Sequence, residues 1–229
     1  MPKPPFDQAE LFADAARRAA SFRETLPNRL QRPLADYAGM LRRLAAPTPE
    51  TGLPAGEVIA ALDAQMQPGL HAMAGGRFFG WVIGASHPVG VAADLLTSAW
   101  GQNAGNHQAS PAAAAAEAVA SGWLLDLLGL PWDASVGFVT GATVANFVCL
   151  AAARSEVLRR VGWDVEADGL FGAPPIKVVI GDDAHTTVFS ARPLLGLGHD
   201  RVVRVATDAQ GRIEAEAFAV ALKAGEGPA

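Results

Sequence analysis

Val136-Gly-Phe-Val-Thr-Gly-Ala-Thr-Val-Ala-Asn-Phe-Val-Cys-Leu-Ala-Ala-Ala153 says more about how this chain folds than any other run of it. Val136 to Val139 are apolar and partly β-branched, which predicts a short buried strand. From Ala145 onward Ala, Leu and Val dominate, which predicts a helix. Between them lie Thr140, Gly141, Ala142 and Thr143, small residues that let a backbone turn sharply and approach a ligand closely. A strand turning into a helix this way leaves N–H groups free at the helix start, where the positive end of the helix dipole also lies. Such a place suits a phosphate or a carboxylate. An ordinary strand-to-helix turn of an α/β domain looks the same, because the motif is neither a P-loop nor a GxGxxG.

Downstream the pattern repeats. Ile176 to Ile180 is a second short apolar strand, followed by Gly181-Asp182-Asp183-Ala184-His185-Thr186-Thr187 and a helix through Leu195. Arg201 to Ala206 is a third strand, Asp208 to Gly211 a turn, and Ile213 to Lys223 a closing helix. Strands alternating with helices indicate a mostly parallel sheet of α/β type. Sheets of that type bind ligands at the carboxyl ends of their strands. Gly141 to Thr143 and His185 both follow such ends, so they are candidates for one site.

Upstream, Ser110 reads as an N-cap with Pro111 at the first helical position, and that helix runs through Leu128 until Gly129-Leu130-Pro131 stops it. Gly101 to Ser110 is a polar loop carrying Gln102, Asn103, Asn106, His107 and Gln108. Loops of this kind line sites or simply face solvent. Gly75-Gly76-Arg77-Phe78-Phe79-Gly80-Trp81 is an aromatic cluster among glycines, with core packing as its ordinary use. A helix through Trp100 follows Ser86-His87-Pro88. At the start, Phe6 to Leu26, Tyr37 to Leu44 and Gly56 to Met66 read as helices separated by prolines. Their apolar faces need cover, and a partner subunit could supply it.

Half of the 229 residues are hydrophobic, so a sizeable core is within reach. A net charge of −5 argues against a broad nucleic-acid surface. Cys149 is the only cysteine, which excludes an internal disulfide and a cysteine zinc site. His71, His87, His107, His185 and His199 lack compact ligand spacing, so no metal is expected. Met1 to Glu10 holds no apolar signal core, and no apolar run approaches the roughly 20 residues of a membrane span. A cytoplasmic protein with no nucleic-acid or membrane partner is the expectation.

The order of these motifs resembles the pyridoxal-phosphate-dependent decarboxylases of group II, the family of the aromatic-amino-acid, histidine and glutamate decarboxylases. Four stretches carry the resemblance: Arg77-Phe78-Phe79-Gly80, Ser110-Pro111-Ala112 with Glu117, Val139 to Asn146, and Asp183-Ala184-His185-Thr186-Thr187 followed by Leu194-Leu195-Gly196. The resemblance implies fold type I, with a helical arm over residues 1–70 and the first part of the cofactor-binding large domain, a mostly parallel sheet, over 71–229. It implies pyridoxal 5'-phosphate, an L-amino-acid substrate, a lyase reaction that removes the carboxyl group, and a homodimer of the complete unit. It makes Gly141, Ala142, Thr143 and Asn146 cofactor-binding residues, with the phosphate held by the backbone of Ala142 and Thr143 and by the Thr143 hydroxyl. His185 corresponds to the catalytic histidine that stacks over the pyridine ring. Phe79, Trp81, Asn106 and His107 lie in segments that shape the substrate pocket. Val144 stands where many members have Glu, and Gly101 to Gln108 is not the loop of the aromatic-amino-acid enzymes, so their substrate does not carry over.

The resemblance also requires a Schiff-base lysine and an acidic partner for the pyridinium nitrogen. Lys3, Lys177 and Lys223 are the three lysines of this sequence, and none stands in the family's Asp-Ala-His-Lys surroundings. The expectation is therefore an N-terminal portion of a larger enzyme, inactive alone, with the lysine on a missing or separate segment. Another fold-type-I lyase resembling the sphingosine-phosphate enzymes, or a scaffold subunit without catalysis, are the alternatives.

Overall fold

The computed structural model describes residues 6–198, 200–224 and 227. Lys3, His199 and residues 225, 226, 228 and 229 lie outside the described residues. The chain divides into two compact units, 1–105 and 106–229.

The first unit is helical, and three of its helices start at a side-chain cap. Asp7 accepts hydrogen bonds from the N–H groups of Ala9 and Glu10 to open α1 (Gln8–Thr25), and Asp36 accepts from Gly39 to open α2 (Tyr37–Leu44). α3 (Ala55–Met66) follows Pro54 and ends in a single 3-10 turn, Gln67–Gly69. Arg18 joins α1 to α3, donating to Asp14 at 2.8 Å and to Asp63 at 3.1 Å. The Gln67 amide and then Arg18 hold the Asp63 carboxyl below its usual pKa. Leu26 and Ala72 are the buried apolar residues here. α4 (Pro88–Trp100) is capped by His87 and closed by Gly101 in the left-handed conformation.

The second unit carries the sheet. α5 (Pro111–Leu128) begins at Ser110, which is buried, and stops at left-handed Gly129. The Ser110 side chain gives the helix no capping bond, so Pro111 and the turn before it fix the start. α6 (Ala142–Arg160) leads through the one-turn α7 (Val165–Asp168) into β1 (Val179–Gly181). α8 (Thr186–Leu194), β2 (Val203–Val205) and α9 (Ala215–Lys223) complete the chain. β1 and β2 are parallel, with Val179, Ile180 and Gly181 opposite Val203, Arg204 and Val205. α8 is therefore the crossover of a βαβ unit. Gly181 is dictated by close approach, since a Cβ there would lie 2.8 Å from Cγ1 of Ile213. α6 packs on α8, and Leu158 and Ala191 are fully buried, with Leu195, Ile180 and Val205 nearly so.

One expectation fails. Val136 to Val139 is not a strand, because no neighbour among the described residues takes up its N–H and C=O groups. Phe138 and Val139 are accordingly 52% and 39% exposed rather than buried. The other two strands exist but are three residues each, so the observed sheet has two strands, both described. Much apolar surface is left uncovered: the chain exposes 16927 Å², whereas two separate compact units of these sizes would expose roughly 12,000 Å². On α5 alone Val119, Trp123, Leu127 and Leu128 are exposed.

Candidate active site at the starts of α6 and α8

Gly141 is the N-cap of α6, in extended backbone, and no side chain caps this helix. That contrasts with α1, α2, α4, α7 and α8, each capped by a side chain. The first bond of the α6 turn is that from Ala145 N–H to the Gly141 carbonyl. The N–H groups of Ala142, Thr143 and Val144 thus remain as donors, with the exposed Thr143 hydroxyl beside them. There is no acidic residue in the first turn to neutralise the dipole. A Cβ built on Gly141 would meet nothing within 4 Å, so the space in front of these donors is open.

β1 delivers His185 to the start of α8. Asp182 N–H donates to the Val205 carbonyl at 3.0 Å, which extends the pairing past the end of β1. Asp183 then accepts from the Thr207 hydroxyl at 2.5 Å, pinning the turn. His185 caps α8: its Nδ1 accepts from the Thr187 N–H at 3.2 Å and lies 2.9 Å from the Thr187 hydroxyl. The Asn146 amide donates to that same hydroxyl at 2.9 Å. Asn146 stands three residues after Thr143 on α6, on one face of the helix with it. One chain of bonds therefore links the α6 start, through Asn146 and Thr187, to the exposed ring of His185.

Two helix starts of like polarity meet here, which favours an anion. Within α8, Arg192 is buried with its guanidinium 5.1 Å from the Phe189 ring, and the Arg204 guanidinium lies 4.9 Å from the same ring. Burial, and then the Arg204 charge, push the Arg192 pKa down from its ordinary value. A groove of about 530 Å³, lined by residues including Ala152, Glu156, Arg159 and Trp163, lies along the far half of α6. Its place away from the helix start means that concavity alone does not locate this chemistry.

The family model described as the pyridoxal-dependent decarboxylase conserved domain matches residues 39–225. The chain belongs to the pyridoxal-dependent decarboxylase family. Among members of this family it is 30% identical over 178 residues to tryptophan decarboxylase 1 of Oryza sativa subsp. japonica, covering 73% of this chain and 34% of that one. It is 32% identical over 190 residues to L-2,4-diaminobutyrate decarboxylase of Rhizobium meliloti, covering 79% and 35%. The crystal structure of Oryza sativa TDC with PLP and tryptamine superposes with a TM-score of 0.84 at 24% identity, covering 97% of this chain and 46% of that one. Mouse CSAD gives 0.83 at 18% identity, covering 96% and 46%. The fold is thus that of the type I pyridoxal-phosphate decarboxylases, and the family's cofactor is pyridoxal phosphate. The chain spans about a third of the length of these curated relatives and just under half of the solved chains.

The donor set at Ala142, Thr143 and Val144, the open space at Gly141 and the exposed imidazole of His185 fit the phosphate and the ring of the family's cofactor. Other expected site residues stand differently. Asn106 turns its side-chain oxygen onto its own loop, accepting from Gln108 N–H at 3.0 Å and Ala109 N–H at 2.9 Å. His107 is exposed in that loop. In the first unit Phe79 is 89% exposed, and Trp81 packs edge-on to His71 at 5.1 Å. Trp81 and Val82 are both left-handed, at φ 57° and 51°, which costs non-glycine residues about 1–2 kcal/mol each. Thr187 is the residue that sequence reasoning missed. No local signal marks it, because its bond to Asn146 comes from the packing of α6 on α8.

Proposed function

We propose that this chain is the N-terminal portion of a pyridoxal-phosphate-dependent L-amino-acid decarboxylase, and that it contributes the phosphate grip and the ring-stacking histidine. The observation that carries this reading is the bonded path Asn146–Thr187–His185, which joins the open helix start at Thr143 to the imidazole. In this role the N–H groups of Ala142 and Thr143 and the Thr143 hydroxyl hold the phosphate dianion, and Gly141 leaves it room. Asn146 and His185 complete the cofactor contacts, with the imidazole against the ring. Phe79, Trp81, Asn106 and His107 shape the substrate pocket. When bound, the cofactor supplies the electron sink for loss of the carboxyl group.

The lysine that holds the cofactor comes from a second chain or a C-terminal segment, and the complete unit is a cytoplasmic homodimer. Lys177 supports this division: its ammonium donates to the Leu222 carbonyl at 2.8 Å, and it precedes β1 whereas His185 follows that strand. Lys223 lies in the last turn of α9. The uncovered apolar face of α5 is consistent with a chain completed by further protein. Alone, the chain is expected to catalyse nothing.

The test is carbon dioxide release from a panel of L-amino acids by the complete protein. Release from at least one amino acid, strongly lowered by His185→Ala with the fold intact, is the expected result. A complete protein that binds pyridoxal phosphate yet releases none from any amino acid would overturn the decarboxylase reading, leaving another fold-type-I lyase. Failure to bind the cofactor at all would leave the scaffold subunit.

A further inference from the structure

Thr187 makes three contacts with two side chains, and the chemistry of each fixes the next. An amide nitrogen only donates, so the Asn146 Nδ2 contact at 2.9 Å occupies a lone pair of the Thr187 hydroxyl. The hydroxyl proton is then free to point to His185 Nδ1, 2.9 Å away. The Thr187 backbone N–H, 3.2 Å from the same nitrogen, can only donate. With two donors aimed at it, Nδ1 carries no proton, and the neutral ring has its hydrogen on Nε2. Among the described residues nothing bonds Nε2, and His185 is exposed, so that N–H is the ring's one open donor.

From this geometry we infer that Thr187 is the positioning residue for His185 and that Asn146, which does not bond the ring, acts on it through Thr187. The inference rests on the reading of His185 as the ring-stacking histidine. α6 thereby holds the imidazole through the Thr187 hydroxyl. The backbone N–H alone would leave Nδ1 the longer and weaker of its two bonds. Thr187→Ser keeps the hydroxyl, whereas Thr187→Val keeps the shape and loses it.

The experiment is ring-labelled histidine NMR of the complete protein without cofactor, at a pH where imidazoles are ordinarily neutral. It compares wild type, Thr187→Ser, Thr187→Val and Asn146→Ala. Wild type and Thr187→Ser are expected to show the His185 ring as one ordered Nε2–H tautomer. Thr187→Val and Asn146→Ala are expected to show the same change, to a mobile ring with mixed protonation. In the cofactor-loaded protein Thr187→Val is expected to lower kcat by about tenfold, as for loss of one hydrogen bond to a reacting group. KM should stay near wild type, and Thr187→Ser should restore turnover. Should Thr187→Val not fold, Asn146→Ala carries the same comparison. Wild-type ring signals in Asn146→Ala or Thr187→Val, with the cofactor bound normally, would overturn the positioning role. Absence of cofactor binding by the wild type would instead overturn the proposed function while the ring measurement stood.

Discussion

The Asn146 amide donates to the Thr187 hydroxyl at 2.9 Å, across 41 positions of sequence. That bond sets the open start of α6 beside the histidine-capped start of α8. It gives Thr143 and His185 a common setting within the second unit, and the predictions about the site depend on it.

Thr143→Ala removes a hydroxyl that sits among the free N–H groups of α6. Cofactor affinity of the complete protein is expected to fall by about 1–3 kcal/mol, the range for a bond to a charged group. A pyridoxal-phosphate titration followed by absorbance measures it. Unchanged Kd would detach Thr143 from the phosphate.

Gly181→Ala places a Cβ 2.8 Å from Cγ1 of Ile213 and 3.3 Å from Cγ2 of Thr207. Both belong to the bridge that follows β2, so relief of the contact requires a shift of the Ile213 side chain or of the segment after the sheet. Overpacking of this kind is expected to destabilise the second unit by about 1–3 kcal/mol. Denaturant unfolding gives the value, and a change within error would show that Ile213 yields freely.

Leu158→Ala opens a cavity at the most buried large apolar residue of the second unit, which is fully covered where α6 ends. A loss of about 2–5 kcal/mol is expected. The denaturation midpoint should drop accordingly. A loss below about 1 kcal/mol would mean that the surroundings collapse into the space.

Glu156 accepts from Arg159 and Arg160, which hold its carboxyl at about 2 against an ordinary 4.5. A carboxylate whose folded pKa is depressed adds stability above its unfolded pKa and loses it as the pH falls through the folded one. The unfolding midpoint of wild type should therefore exceed that of Glu156→Gln near neutral pH. The gap should close between pH 4.5 and 2. The group is solvent-exposed, so the gap is small and shrinks further in salt. A gap that does not change with pH would remove the ion pairs as its cause.

The helices were legible because local chemistry sets them. Tyr37–Leu44 matches its expected bounds since Asp36 caps it and prolines follow. The strands were legible in place but not in length, because a strand lasts only as far as its neighbour pairs. Ile176 to Ile180 holds four apolar residues among five, yet pairing runs from Val179 to Gly181, opposite β2. Val136 to Val139 has the composition of a strand and no partner among the described residues. In the site, His185 follows the end of β1 as expected, whereas Thr143 follows a stretch that is not a strand, and both stand at helix starts. Thr187 was not legible, because its importance comes from the packing of α6 on α8, which no local pattern records. The use of the Asn106 side chain inside its own loop was equally hidden, although Asn in a turn is a common way to satisfy nearby N–H groups.

The division of labour is the account's central claim: this chain holds the phosphate and the ring, and the amine comes from elsewhere. Borohydride reduction of the complete, cofactor-loaded protein, followed by mass-spectrometric mapping of the pyridoxyl group, tests it most directly. Loss of absorbance near about 420 nm, with the label on a lysine other than Lys3, Lys177 and Lys223, is the predicted result. A label on Lys177 or Lys223, or a loaded protein that takes no label, would contradict it.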